Sequence, residues 1–265
     1  MSIFLIVGIF LAVGFLTGIL IGMLGIGGGV IFVPALYILL PFLGYDLSTV
    51  SYAAIATSLF AGAIATSFSG YFHINSDNVE KRKALLMAAG SALTAFILPF
   101  FVVKVEPVTL KIIFASVLLI VSVKMLFEHD KKRTNKPGNI PSGLYLPVIG
   151  TFVGALSAFT GLGGGIVYFP SLYYMYKLDV RKAIGTSSLI TAATMISSSL
   201  SFLFQSGSST NSYISIVAGI PLGFGAIVGA RIGVGFVLKI KSEIVKKIFS
   251  ILLIIVIIKI ILSVW

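Results

Sequence analysis

Along the chain, long apolar runs alternate with short polar breaks. Most runs are close to the roughly 20 residues that a helix needs to cross a hydrocarbon core of about 30 Å. The runs cover 3–21, 30–43, 49–72, 84–103 and 108–127, then 144–160, 166–176, 180–204, 213–238 and 244–264. Two of them are cut by glycine: "GIGGG" at 25–29 and "GLGGG" at 161–165. Glycine weakens a helix interior by about 1 kcal/mol relative to alanine. A costly feature that occurs twice at corresponding places points to a function. The run at 166–176 would reach only about 17 Å as a helix, so the pieces after the breaks read as re-entrant or strongly tilted half-helices.

The two halves also match in residues. "GIGGGVIFVPALY" pairs with "GLGGGIVYFPSLY", "AIATS" (54–58) with "AIGTS" (183–187), and "LKIIFASVLLIVSVK" (110–124) with "VKKIFSILLIIVIIK" (245–259). This is an internal duplication, a common plan among carriers. The chain divides into a first transmembrane repeat at 1–127, a basic linker at 128–141 and a second repeat at 142–265. The linker holds "EHDKKRTNKPGN", the one linker-like stretch.

Composition sharpens the class. The chain is 58% hydrophobic and 10% charged, with mean hydropathy +1.12, where a soluble domain carries about 25% charged residues. It is an integral membrane protein. The run at 3–21 lacks a basic leading segment and continues into further apolar sequence, so it reads as mature structure. Cysteine is absent, which excludes disulfides, thiolate metal sites and cysteine-based sulfur relay. The net charge of +11 sits in short loops between spans, where it orients the protein and does not bind nucleic acid.

Charge placement also separates two topologies. If each glycine break lies inside one crossing, the repeats are parallel and Lys and Arg divide about nine against ten, with no positive-inside bias. If the chain turns back at each break, the second half is inverted. The clusters at 81–83, 124–136, 177–182 and 231–247 then share one side, and only Lys104, Lys111 and Lys259 face the other, roughly sixteen against three. The inverted arrangement is favoured. The expected fold is an all-α integral membrane protein of two inverted-topology repeats. Each has a Gly-broken re-entrant or hairpin segment plus three transmembrane helices, about 8–10 membrane segments in all. Both termini lie outside and the basic loops are cytoplasmic.

Irregular backbone at membrane depth is tolerated where protein covers it or where it lines a watery cavity. A half-helix N-terminus offers unpaired N–H groups to an anion. Gly27, Gly28 and Gly29, with Gly163, Gly164 and Gly165, would let backbone approach such a ligand without intervening side chains. Close helix packing is the alternative, and it is the expected role of "GFGAIVGARIG" at 223–233. The lysine and hydroxyl of a nucleotide phosphate loop are missing after both glycine runs. Thr57, Ser58, Thr186 and Ser187, in corresponding helices, could donate hydroxyls to an anion or bond their own helix backbone. Thr191 and the serines at 197–199 take the second reading. Arg231 is the one arginine inside an expected span, either an anion contact or a snorkelling side chain. His73 and His129 fall at span ends and are expected to be solvated. All eight Asp and Glu residues map to loops or span ends, which argues against a cation substrate and against a carboxylate proton pump. No metal, cofactor or nucleophile constellation is apparent, so no enzyme is expected.

With its paired "GIGGGVIFVPAL" and "GLGGGIVYFPSL", "RKAIGTSS" at 181–188 and "GAIVGARIG" at 225–233, the chain resembles the TauE/SafE sulfite exporter family, also called the toluene sulfonate uptake permeases. The resemblance implies a secondary carrier of the prokaryotic plasma membrane that moves sulfite, sulfonates or related small anions. Alternating access and a site at the glycine breaks then become the expectation. An anion channel of the same fold and a non-transporting membrane scaffold are the alternatives, and lipid and a second copy of the chain are the other partners considered. The first repeat departs from the second at Ala56, opposite Gly185, and lacks a basic pair matching Arg181 and Lys182, so the halves are expected to contribute unequally. Cysteines introduced singly at Asn135 and Asn211 should label from opposite membrane faces. Labelling from one face would support the parallel, eight-span arrangement instead.

Overall fold

The computed structural model describes residues 3–46, 48–127, 143–206 and 213–237, and among these it is helical, without strands. The first half contains α1 (Ile3–Leu24), α2 (Gly29–Leu39), α3 (Val50–Asn75), α4 (Lys81–Ile97), α5 (Pro99–Val102) and α6 (Pro107–Phe127). The second contains α7 (Tyr145–Thr160), α8 (Gly165–Pro170), α9 (Val180–Ser206) and α10 (Ile216–Val237). The linker at 128–141 and the run at 244–264 lie outside the described residues, as does the counterpart of the 110–124 match.

Each half opens on a helix stopped by glycine. Gly25 (φ +65°) and Gly161 (φ +72°) take left-handed backbone, and their amides bond back to Ile21 and Ser157. Such residues end a helix because only glycine enters that region without strain. Proline explains where the apolar runs break further. The expected run at 84–103 divides into α4 and the single turn α5, with Pro99 in the first helical position, where its missing N–H is not needed. Pro170 sits inside a helix and α8 widens into a π turn at Ser171–Met175. Pro41 likewise opens a 3-10 turn at Leu40–Leu43 after α2.

The helices pair across the halves, mainly through glycine. A side chain at Gly14, Gly18 or Gly22 of α1 would strike the backbone of Leu222, Ala226 or Ala230 of α10, and one at Gly225, Gly229 or Gly233 would strike that of Leu11, Phe15 or Ile19. The "GFGAIVGARIG" segment thus packs closely, as small residues in membrane helices do. Both series ascend together, so α1 and α10 are parallel. In the same way Gly150 and Gly154 of α7 meet Met87 and Ser91 of α4, also in parallel. The central pair differs: Ser69 meets Ser188 while Thr66 meets Met195, so α3 and α9 run antiparallel.

Around this core, large apolar side chains face outward, including Phe4 (86% exposed) and Leu85 (72%). A rim of this kind is suited to lipid and not to water. Among the described residues, five helices are long and apolar enough to cross a membrane: Ile3–Leu24, Val50–Asn75, Lys81–Val102, Val180–Gln205 and Ile216–Phe236. The acidic residues among those described, Asp46, Asp77, Glu80, Glu106 and Asp179, all lie outside these spans.

Charge gathers at one end of the bundle. Glu80, before α4, accepts hydrogen bonds from Lys83 (3.3 Å) and from Lys182 of α9 (3.5 Å). The Lys83 hydrogen bond, helped by Lys182, holds its carboxyl below the usual range. Lys81, Arg82, Arg181 and the C-terminal part of α1 and α10 share this end. Lys104 and Lys111 lie at the other, where Tyr52 donates to the Val105 carbonyl at 2.8 Å. The α1–α10 seam can be tested by size. Gly229→Leu should overpack it and cost about 1–3 kcal/mol, read as a lower melting temperature in detergent. Gly8→Leu, with nothing within 4 Å of its new Cβ, should leave the melting temperature unchanged.

Candidate functional site

The two glycine breaks meet. A Cβ on Gly29 would collide with the Gly161 carbonyl and lie 2.5 Å from the Leu162 Cα. One on Gly165 would lie 2.6 Å from the Gly25 carbonyl oxygen and 2.7 Å from the Ile26 Cα. The two stretches therefore cross backbone to backbone, where only glycine fits. Their conformations are not identical. Gly28, before α2, is right-handed (φ −61°), whereas Gly164, before α8, is left-handed (φ +82°).

Hydroxyls from the central helices hold the crossing in matched pairs. Ser58 of α3 donates to the Gly161 carbonyl at 3.0 Å, and Ser187 of α9 donates to the Gly25 carbonyl at 2.7 Å. Their neighbours face the helix starts: Thr57 accepts the Ser215 amide before α10, and Thr186 accepts the Glu80 amide before α4, each at 2.9 Å. None of the four bonds is made within the residue's own helix. Each joins its helix to backbone elsewhere, which neither expectation for these residues included. In this conformation the Ser58 and Ser187 protons are committed to carbonyls.

The amides differ from the hydroxyls. Among the described residues, those of Gly27, Gly28, Gly163 and Gly164 donate to no protein acceptor, though all four residues are buried. Orphaned buried N–H groups are rare in folded proteins. The crossing therefore presents a set of donors and no side-chain charge.

Other expected residues fall elsewhere. Arg231 is exposed on α10, beside the Ala230 that packs on Gly22, and does not join the crossing. His73, expected to be solvated, is fully buried. Its Nε2 donates to the Gly22 carbonyl at 3.1 Å and Nδ1 has no partner. The last turn of α3 packs against the end of α1, so a position near a span end in sequence is interior in space. Thr191 was expected to bond its own helix, but its Oγ1 is buried without a partner. Ser199 does bond its own helix, at Met195, whereas Ser198 crosses to the Ala95 carbonyl. Met195, which sequence reasoning passed over, reaches the crossing. The one signal for it is its place four residues after Thr191, on the same helix face. No group of His, Asp and Glu among the described residues could hold a metal.

A helical bundle with an apolar rim, a charged end and a polar centre defines a polytopic membrane protein. The sulfite exporter TauE/SafE family model matches residues 10–260, and the chain belongs to this family. It is 27% identical to a probable membrane transporter protein of Haemophilus influenzae, over 93% of this chain and 94% of that one. A protein of the same description from Methanocaldococcus jannaschii is also 27% identical, covering 90% and 89%. One from Bacillus subtilis is 26% identical, covering 84% and 86%. No solved structure matches the chain.

The serine bonds generate a stability prediction. Ser58→Ala and Ser187→Ala each leave a buried carbonyl short of its donor. Each should cost about 1–3 kcal/mol, measured as thermal unfolding in detergent, and the corresponding Thr variants should recover part of the loss.

Proposed function

We propose that this chain is a secondary carrier for small sulfur-containing anions, sulfite or an organosulfonate, working by alternating access in the plasma membrane. The observation that carries the reading is the set of unpaired, buried amides at the meeting of the two breaks. An oxyanion accepts several hydrogen bonds at once and is the complement of such a set. The family description names sulfite, and the relatives' names supply transport without a substrate.

The proposal includes two inverted repeats across the membrane. The antiparallel central helices support it, as does the exchange of partners in which α1 pairs with α10 and α7 with α4. It places the end bearing Lys83 and Lys182 in the cytoplasm, following the positive-inside rule, and the N-terminus outside. Halves of this kind can rock about a site at their interface.

Purified protein in liposomes should take up radiolabelled sulfite saturably, with faster exchange when the lumen is preloaded with the same anion. Large single-channel currents would show a channel instead, and no flux of any sulfur oxyanion or sulfonate would overturn the reading. Gly27→Ala would place a Cβ 2.5 Å from the Leu162 carbonyl oxygen and should lower uptake by about tenfold or more, with the protein still monodisperse by size exclusion.

A further inference from the structure

We propose that the anion's seat is the space now filled by the Met195 thioether, and that the Thr191 hydroxyl is its side-chain donor. The proposal rests on the carrier reading and adds a location, a ligand group and a side chain that must move. Three glycines from different segments leave this space. Built Cβ atoms would meet the Met195 Cε at 2.7 Å from Gly27, its Sδ at 2.5 Å from Gly62 and its Sδ at 2.9 Å from Gly163. The methionine thus reaches α3 and both breaks together. The amide nitrogen of Gly28, one of the unpaired donors, lies 4.0 Å from the Gly62 position, on the same space.

A thioether is a weak acceptor and leaves such donors unsatisfied. The best hydroxyl near it, Thr66, already donates to the Gly62 carbonyl at 2.6 Å and stands 4.0 Å from the sulfur. Methionine, unbranched and with three rotatable bonds, can occupy a site in one conformation and leave it in another.

Thr191 supplies an independent observation. It is fully buried, its Oγ1 has no partner, and its Cγ2 lies 3.1 Å from the Gly27 position. Thr191 and Met195 stand one helical turn apart on one face of α9. The hydroxyls of the matched pairs are occupied by backbone, but this one is available to an anion. The corresponding positions on α3 are Gly62 and Thr66, four and eight residues beyond Ser58 as Thr191 and Met195 are beyond Ser187, so the first half provides room at Gly62 where the second provides a side chain.

The absence of cysteine makes a direct test available, because Met195→Cys would be the only thiol in the chain. In membranes, the Met195→Cys variant should react with an anionic methanethiosulfonate reagent, and millimolar ethanesulfonate should slow that reaction. Lys104→Cys, at an exposed loop position, should react without protection. In liposomes, Thr191→Val should raise the sulfite KM by about tenfold or more, as loss of a hydrogen bond to a charged group does, and Thr191→Ser should retain transport. Met195→Ala should lower KM about 3- to 10-fold by removing the competing occupant. A thiol at Met195→Cys that is inert while that at Lys104→Cys labels would overturn the seat. So would labelling indifferent to ethanesulfonate in a protein that transports it, or Thr191→Val behaving as wild type. Absence of uptake by the wild type overturns the carrier reading alone, and the labelling rate at Met195→Cys then still decides whether an anion reaches this space.

Discussion

Two lengths of backbone touch at the centre of this bundle with no side chains between them, and the rest of the structure is arranged around that contact. Gly29 meets Gly161, and Gly165 meets Gly25. For the two stretches to come this close, α1 and α7 must both end at the crossing. The left-handed glycines that stop them, Gly25 and Gly161, are also the ones whose carbonyls receive Ser187 and Ser58. The helix stop, the close approach and the cross-helix bond are therefore one device used twice. Because each serine bonds the break of the opposite half, neither break is complete without the other half.

The polar centre follows from an energetic constraint. An amide or hydroxyl moved from water to an apolar interior without a partner costs roughly 2–7 kcal/mol, and a typical fold retains only about 5–15 kcal/mol. Several unmatched groups would outweigh the net stability. Most are matched: Thr57 and Thr186 take the amides before α10 and α4, and Ser91, Thr194 and Tyr168 join into a chain at 2.8 and 3.1 Å. Against this background the unbonded amides at the breaks and the Thr191 hydroxyl are expensive exceptions, as are the Ser51, Ser157 and Tyr176 hydroxyls. Water or an anion is the physical remedy at the breaks, where several donors lie together around one space, and that is why this group carries the functional reading while the bonded Ser58 and Ser187 do not.

The sequence disclosed the helices and their ends well, since apolar length, glycine and proline act locally. The glycine stops, the close-packed stretch at 223–233 and the loop positions of Asp46, Asp77, Glu80, Glu106 and Asp179 could all be read without coordinates. What could not be read was partnership. Ser58 and Ser187 looked like candidates for an anion or for their own helices because their real acceptors are more than a hundred residues away. His73 looked solvated because nothing local reveals that α1 ends against it. Met195 carried no motif, and its role depends on three glycines far apart in the chain.

The two halves are therefore alike in these scaffold bonds and unlike at the centre. Ser58 and Ser187 do the same work, as do Thr57 and Thr186. On the next turn the equivalence fails: α3 has Gly62 and Thr66 where α9 has Thr191 and Met195. Scaffold bonds must be matched because each half braces the other, and losing one would unbalance the crossing. The space at the crossing is shared, so filling it from both halves would leave no room, and filling it from neither would leave a void as well as unpaired amides. One half yielding space and the other projecting an adaptable side chain into it satisfies both limits. In the carrier reading, that side chain covers the donors whenever the anion is away.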